Sequence, residues 1–142
     1  KLCFQGPEET LKLTEHTQPA ILTASVVALR VFQKERGWAP QLTAGHSLGE
    51  YTAITAAGGF ELKDALALVQ KRGRYMQEAV PEGAGLMAAV LGMERAAVEK
   101  TCMDASKNGI VGPANYNSPG QIVIAGEKHA VEKAMELAKA KK

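Results

Sequence analysis

Behind Thr17, Gln18 and Pro19, apolar residues return every three or four positions: Ile21, Leu22, Val26, Leu29 and Phe32 follow a helical period until Gly37. A threonine just ahead of a proline is a helix-start signal and a glycine a stop, so the spacing predicts one long amphipathic helix between them. The next stretch, "WAPQLTAG", is broken by proline and then briefly apolar, which predicts a short buried strand over residues 42–44. Residues 48–57 have helix propensity and run into Gly58 and Gly59, and a further helix is predicted over 61–80, closed by Pro81 and Gly83. On its wheel Ala65, Leu68, Val69 and Met76 share one stripe with Arg72 in the middle of it, while Lys63, Gln70, Lys71, Arg74 and Glu78 lie on the other side.

Past Gly83 the pattern changes. Residues 86–91 read as a strand, 94–105 as a helix, 111–117 and 121–125 as two strands joined at Ser118-Pro119-Gly120, and 127–140 as a helix. Strand, helix, strand, strand, helix is the order of a split βαβ, ferredoxin-like unit one strand short of closing its sheet. The break predicts an α/β chain of two parts, 1–82 and 83–142. Lys139, Lys141 and Lys142 read as a frayed, solvated end.

Composition narrows the function classes. With 46% hydrophobic residues over 142 positions and a formal charge of +2, the chain reads as globular with one respectable core. No apolar run nears the roughly 18 residues of a bilayer span, which argues against a membrane role and for the cytoplasm. Interleaved charges and few aromatics give no nucleic-acid footprint. Cys3 and Cys102 lack metal or disulfide spacing and read as buried small hydrophobes in a reduced compartment.

Chemistry enters at "AGHSLGEYTA". Gly45-His46-Ser47-Leu48-Gly49 has the G-x-S-x-G spacing between a predicted strand and a predicted helix, the setting of a nucleophile elbow. A turn that sharp brings residues 45 and 49 close, which calls for glycine at both, and the following helix aims its amides at the serine oxygen. Ser47 is then a candidate nucleophile and the Leu48 N–H a candidate oxyanion donor. The bare motif leaves a structural Gly-Ser turn open. A serine nucleophile needs a general base, and none of the three histidines fits: His46 diverges from its neighbour on the turn and reads as a packing or local hydrogen-bonding residue, His16 sits in a predicted loop, and His129 opens a peripheral helix.

Arg72 is the second candidate. A guanidinium on an apolar stripe meets either a protein carboxylate or a ligand carboxylate. Beside an elbow serine the second reading gains, because a fixed cation there selects acyl groups that carry their own carboxylate.

These residues resemble the malonyl-CoA:acyl carrier protein transacylases of fatty-acid synthesis and, more distantly, the acyltransferase domains of polyketide synthases. "QGPEETL", "TQPAILTAS", "AGHSLGEYTA", "RGRYMQEAVPEGAG" and "NYNSPGQIVIAG" carry the resemblance in the family's order over essentially the whole chain. It implies an α/β-hydrolase-like large subdomain with an inserted ferredoxin-like small one, both incomplete here. It further implies malonyl transfer from coenzyme A to the phosphopantetheine thiol of acyl carrier protein through a Ser47 ester, with Leu48 in the oxyanion hole. Arg72 would grip the malonyl carboxylate, with Met76 lining the pocket and Asn115 and Asn117 at its rim. The implied enzyme is a monomer without metal or redox cofactor, coenzyme A entering only as the thioester substrate. The family's opening glycine- and glutamine-rich loop and its histidine base fall outside these 142 residues, so about half of the catalytic unit is covered. Two other readings compete: a thioesterase-like serine hydrolase, and a catalytically dead fragment that docks an acidic carrier protein through Lys63, Lys71 and Arg74.

Overall fold

The longest helix starts earlier than the Thr17-Pro19 signal predicts. After two short helices, α1 (Leu2–Gln5) and α2 (Glu8–Lys12), helix α3 runs over Thr14–Arg36, with Pro19 inside it, and stops at Gly37 in the left-handed conformation (φ 61°). The Leu13 carbonyl accepts bonds from the amides of both His16 and Thr17, and the Thr17 hydroxyl donates to the carbonyls of Leu11 and Leu13. Thr17 therefore reinforces the first turns from within rather than capping them, and His16 belongs to the helix rather than to a loop. Helices α4 (Leu48–Ala56) and α5 (Leu62–Ala79) follow within a residue or two of the predicted spans.

This computed structural model describes residues 1–81 and 83–140, and the chain divides into two units, Lys1–Ala79 and Val80–Lys142. The expectation for Lys141 and Lys142 lies outside the described residues, whereas Lys139 is the exposed last residue of its helix.

In the first unit α3 packs on α5 and α4 through the buried Leu22, Val26, Ala65 and Val69, with half-buried Leu48, Tyr51, Phe60, Leu62 and Leu66 around them. Each fully buried Leu or Val contributes roughly 1.5–3 kcal/mol of transfer free energy. The buried row of α5 is Ala65, Val69 and Gly73, one residue every turn; Leu68 and Met76, expected on the core stripe, are 42% and 49% exposed. Small residues line that row because α3 comes too close for larger ones. A Cβ at Gly73 would stand 2.5 Å from the Thr14 carbonyl oxygen and 2.6 Å from Glu15 Cα. The strand predicted over 42–44 does not form, and Leu42 is 93% exposed. An extended segment becomes a strand only beside another, and the first unit offers no pairing partner among the described residues.

The second unit holds β1 (Gly85–Leu91), α6 (Arg95–Ala105), β2 (Val111–Ser118), β3 (Gln121–Glu127) and α7 (Lys128–Lys139), all close to the predicted spans. The strands form one antiparallel sheet in the order β1-β3-β2. Alternation sets the register: Val90, Ile122 and Ile124 face inward, where Val98, Cys102 and Ala105 of α6 and Val131, Ala134 and Ala138 of α7 close the core. Cys102 is a buried hydrophobe whose thiol burial pushes its pKa up; Cys3, expected to be the same, is exposed on α1. No helix among the described residues is long and apolar enough to cross a membrane.

Candidate active site

At the start of α4 the chain bends through a conformation that few side chains adopt. Ser47 has φ 55° and ψ −110°, and among the described residues it is the only non-glycine with positive φ. Such a geometry costs on the order of 1–3 kcal/mol, so the surrounding turn must hold it. Gly45 is part of that hold: a Cβ there would overlap the Gly49 carbonyl. The second glycine has no such duty, since a Cβ at Gly49 meets nothing within 4 Å, contrary to the paired steric role expected from the motif. The turn's own bonds use the Gly49 amide, donating to the His46 carbonyl (2.9 Å), and the Glu50 amide, donating to the Ser47 carbonyl (3.2 Å). Leu48, the first residue of α4, is half-buried against the first core.

One full turn from Val69 on α5, the Arg72 guanidinium reaches this bend. Its Nη2 donates to Ser47 Oγ at 2.9 Å and its Nη1 donates to Gln18 Oε1 at 2.5 Å. Tyr51, one turn along α4 from the serine, lies beneath it with the guanidinium carbon 5.6 Å from the ring centroid, and Tyr51 is itself stacked on Phe60. Among the described residues the guanidinium has no carboxylate partner. Its partners are neutral, and its positive charge stays uncompensated beside an exposed serine hydroxyl. Of the two outcomes open to an arginine on this stripe, an internal ion pair is therefore not the one realised.

The remaining candidates divide. Met76 sits one turn beyond Arg72 and its Sδ accepts from Gln18 Nε2 at 3.5 Å. Asn117 belongs to the second unit, where its Nδ2 donates to Gln121 Oε1 at 3.2 Å near the end of β2, and half-buried Asn115 pairs with Val123 in the sheet. No histidine nitrogen bonds Ser47 Oγ among the described residues. His46 is exposed, so its backbone carbonyl and not its side chain makes the local bond; the His16 ring leans on Glu15 (3.7 Å) and the His129 ring on Glu127 (3.5 Å). Lys63, Lys71 and Arg74 are exposed, and Arg74 is paired with Glu78 (3.3 Å).

Three residues of this constellation carry no functional role in the sequence reading: Gln18, Tyr51 and Gly73. A usable signal existed for two of them. Gln18, Leu22 and Val26 repeat every four residues on α3, as Ala65, Val69 and Gly73 do on α5, so an amide and a glycine stand in line with core positions.

Comparison with known proteins adds what geometry alone does not. An acyl transferase domain family model matches residues 1–142. The chain belongs to that family. Within it, the malonyl CoA-acyl carrier protein transacylase of Escherichia coli strain K12 is 54% identical over 139 residues, covering 98% of this chain and 45% of that protein. Among solved structures, the malonyl-CoA:acyl carrier protein transacylase of Xanthomonas oryzae pv. oryzae KACC10331 superposes with a TM-score of 0.91 at 52% identity, over 99% of this chain and 45% of that one. A type II PKS acyl-carrier protein in complex with its malonyl-transacylase gives a TM-score of 0.90 at 52% identity, with 99% and 45% covered. The mixed helical and antiparallel-sheet fold of this acyl transferase domain chain is thus that of its relatives. The chain spans about 45% of the length of the relatives it matches.

Proposed function

We propose that the whole protein carrying this chain moves a malonyl group from coenzyme A to the phosphopantetheine thiol of acyl carrier protein, in the cytoplasm and as a monomer. The names of the relatives support the reaction, and one observation supports the assignment of roles: an uncompensated guanidinium 2.9 Å from an elbow serine. Ser47 Oγ attacks the thioester carbonyl, the C–S bond breaks, and coenzyme A leaves as a thiol with the proton that serine gave up. The acyl-carrier thiol then attacks the ester, the C–O bond breaks, and Ser47 regains its proton. The Leu48 amide, at the head of α4, is the oxyanion donor in this reading. Arg72 receives the distal carboxylate in place of the serine hydroxyl it holds in the free protein, while Met76 lines the acyl pocket. The general base comes from outside these 142 residues. The first unit is then part of an α/β-hydrolase-like large subdomain, and the β1-β3-β2 sheet with α6 and α7 part of a ferredoxin-like small one.

A chimera in which these 142 residues replace the matched segment of the E. coli relative tests the reading. Mixed with malonyl-CoA it should gain one malonyl adduct by intact mass, absent in Ser47→Ala, and pass it to acyl carrier protein. Release of free malonate instead would make it a hydrolase, and no adduct at all would leave only docking. A charge-assisted pair is worth about 1.5–3 kcal/mol, so Arg72→Ala should lower the malonyl-over-acetyl preference by about tenfold to a hundredfold. An unchanged preference would remove Arg72 from the acyl site.

A further inference from the structure

Gln18 is 5% exposed, and its amide lies between two partners on another helix: Oε1 accepts from Arg72 Nη1 at 2.5 Å and Nε2 donates toward Met76 Sδ at 3.5 Å. The orientation of that amide is forced. A guanidinium has donors only, so the oxygen must face Arg72; the NH₂ end then points at a thioether, which accepts weakly. With Nη1 bonded to Gln18, the nitrogen that reaches Ser47 is Nη2. A guanidinium carries more N–H donors than one amide oxygen can occupy, so the held group can still take a carboxylate.

The chemistry of the acceptor matters as much as its position. A buried glutamate at this place would hold the same nitrogen equally well but would cancel the cation's charge. A buried apolar residue would preserve the charge but let the side chain swing. Of these three, glutamine alone fixes the guanidinium without neutralising it. The geometry points to Gln18 as the positioning residue that sets acyl selectivity: it holds Arg72 by Nη1 with Nη2 toward Ser47 and leaves the guanidinium fully charged. The inference rests on the reading of Arg72 as the acyl-carboxylate anchor. It assigns Gln18 no contact with the reacting atoms. Gly73 completes the device, since the absence of its side chain allows α3 close enough for an amide to reach a guanidinium.

The test uses the same full-length chimera with Gln18→Glu and Gln18→Leu. Two readouts are taken: the affinity for malonate alone by calorimetry, and the single-turnover acylation of Ser47 by malonyl-CoA and by acetyl-CoA. Gln18→Glu should weaken malonate binding about tenfold or more and lower the malonyl-over-acetyl ratio by a similar factor, with acetyl acylation within about twofold of wild type. Gln18→Leu should lower the ratio as well. A merely structural role would slow both thioesters together. Gln18→Glu keeps the side-chain length and an acceptor oxygen, so it serves even if the leucine variant fails to fold. Malonate affinity and thioester ratio within twofold of wild type in Gln18→Glu would overturn the inference. The reading of the overall reaction fails separately, when the wild-type chimera binds malonate yet transfers no malonyl from coenzyme A.

Discussion

Ser47 is held in a backbone conformation that its own side chain disfavours, and Gly45 is what allows it. Gly45→Ala must push a methyl into the Gly49 carbonyl, so it should cost about 1–3 kcal/mol in urea unfolding and abolish acylation of Ser47. Gly49→Ala fills open space inside a helix and should be neutral or stabilising, by up to about 1 kcal/mol. Equal losses at the two positions would mean that the turn is not strained in the way described. Ser47 and Arg72 were both legible in the sequence, one from its motif and one from its place on a wheel. Their partner Gln18 goes unread despite its four-residue spacing with Leu22 and Val26, because a polar residue between a threonine and a proline reads as part of a helix start. The orientation of a buried amide is decided by what crosses it, and local sequence does not carry that. The same blindness hid the exposure of Cys3, a residue type whose usual place is inside.

Elements were legible wherever periodicity and punctuation agreed, as in α5, α6, α7 and all three strands of the sheet. They were illegible where long-range pairing decides, as in residues 42–44. Between α3 and α5 the decisive fact is a missing side chain, and Gly73→Val should pry the helices apart. We expect a loss of about 1–3 kcal/mol in urea unfolding together with a fall in the malonyl-over-acetyl ratio, because Gln18 would no longer reach Arg72. Loss of stability with an unchanged ratio would separate the crossing from the site. In the second unit a surface clip ties α6 to β2. Arg95 Nε (2.7 Å) and the Tyr116 hydroxyl (2.8 Å) both donate to Glu99 Oε1, and the Arg95 guanidinium lies 4.5 Å from the Tyr116 ring centroid. The bond from Arg95, then that from Tyr116, holds the Glu99 carboxyl below the ordinary range, and the tyrosine is shifted up by the same carboxylate. A lowered carboxyl stabilises the fold above its unfolded value and loses that contribution as pH falls through the folded one. NMR titration should therefore find Glu99 protonating later than exposed glutamates on acidification, and Tyr116→Phe should move its midpoint back up. No movement in the phenylalanine variant would deny the clip.

Taken whole, the chain leaves several large apolar side chains open to solvent. Val27 and Val31 on α3 are 54% and 56% exposed, with Ile21, Phe32 and Trp38 nearby in sequence and Leu42 beyond them, and β1 has no neighbour on its outer edge among the described residues. Expressed alone, the 142 residues should bind a hydrophobic dye and self-associate, and Val27→Lys with Val31→Glu should reduce both effects in light scattering. A monodisperse, dye-silent chain would contradict this. Coverage of 45% of the relatives' length agrees with the half of a catalytic unit that the family resemblance implied. The division between Ala79 and Val80 has its own corollary. Ser47, Arg72, Gln18 and Tyr51 all precede that seam, so a crossover placed there can exchange everything downstream between family members while passing on this bonded cluster as a single heritable block.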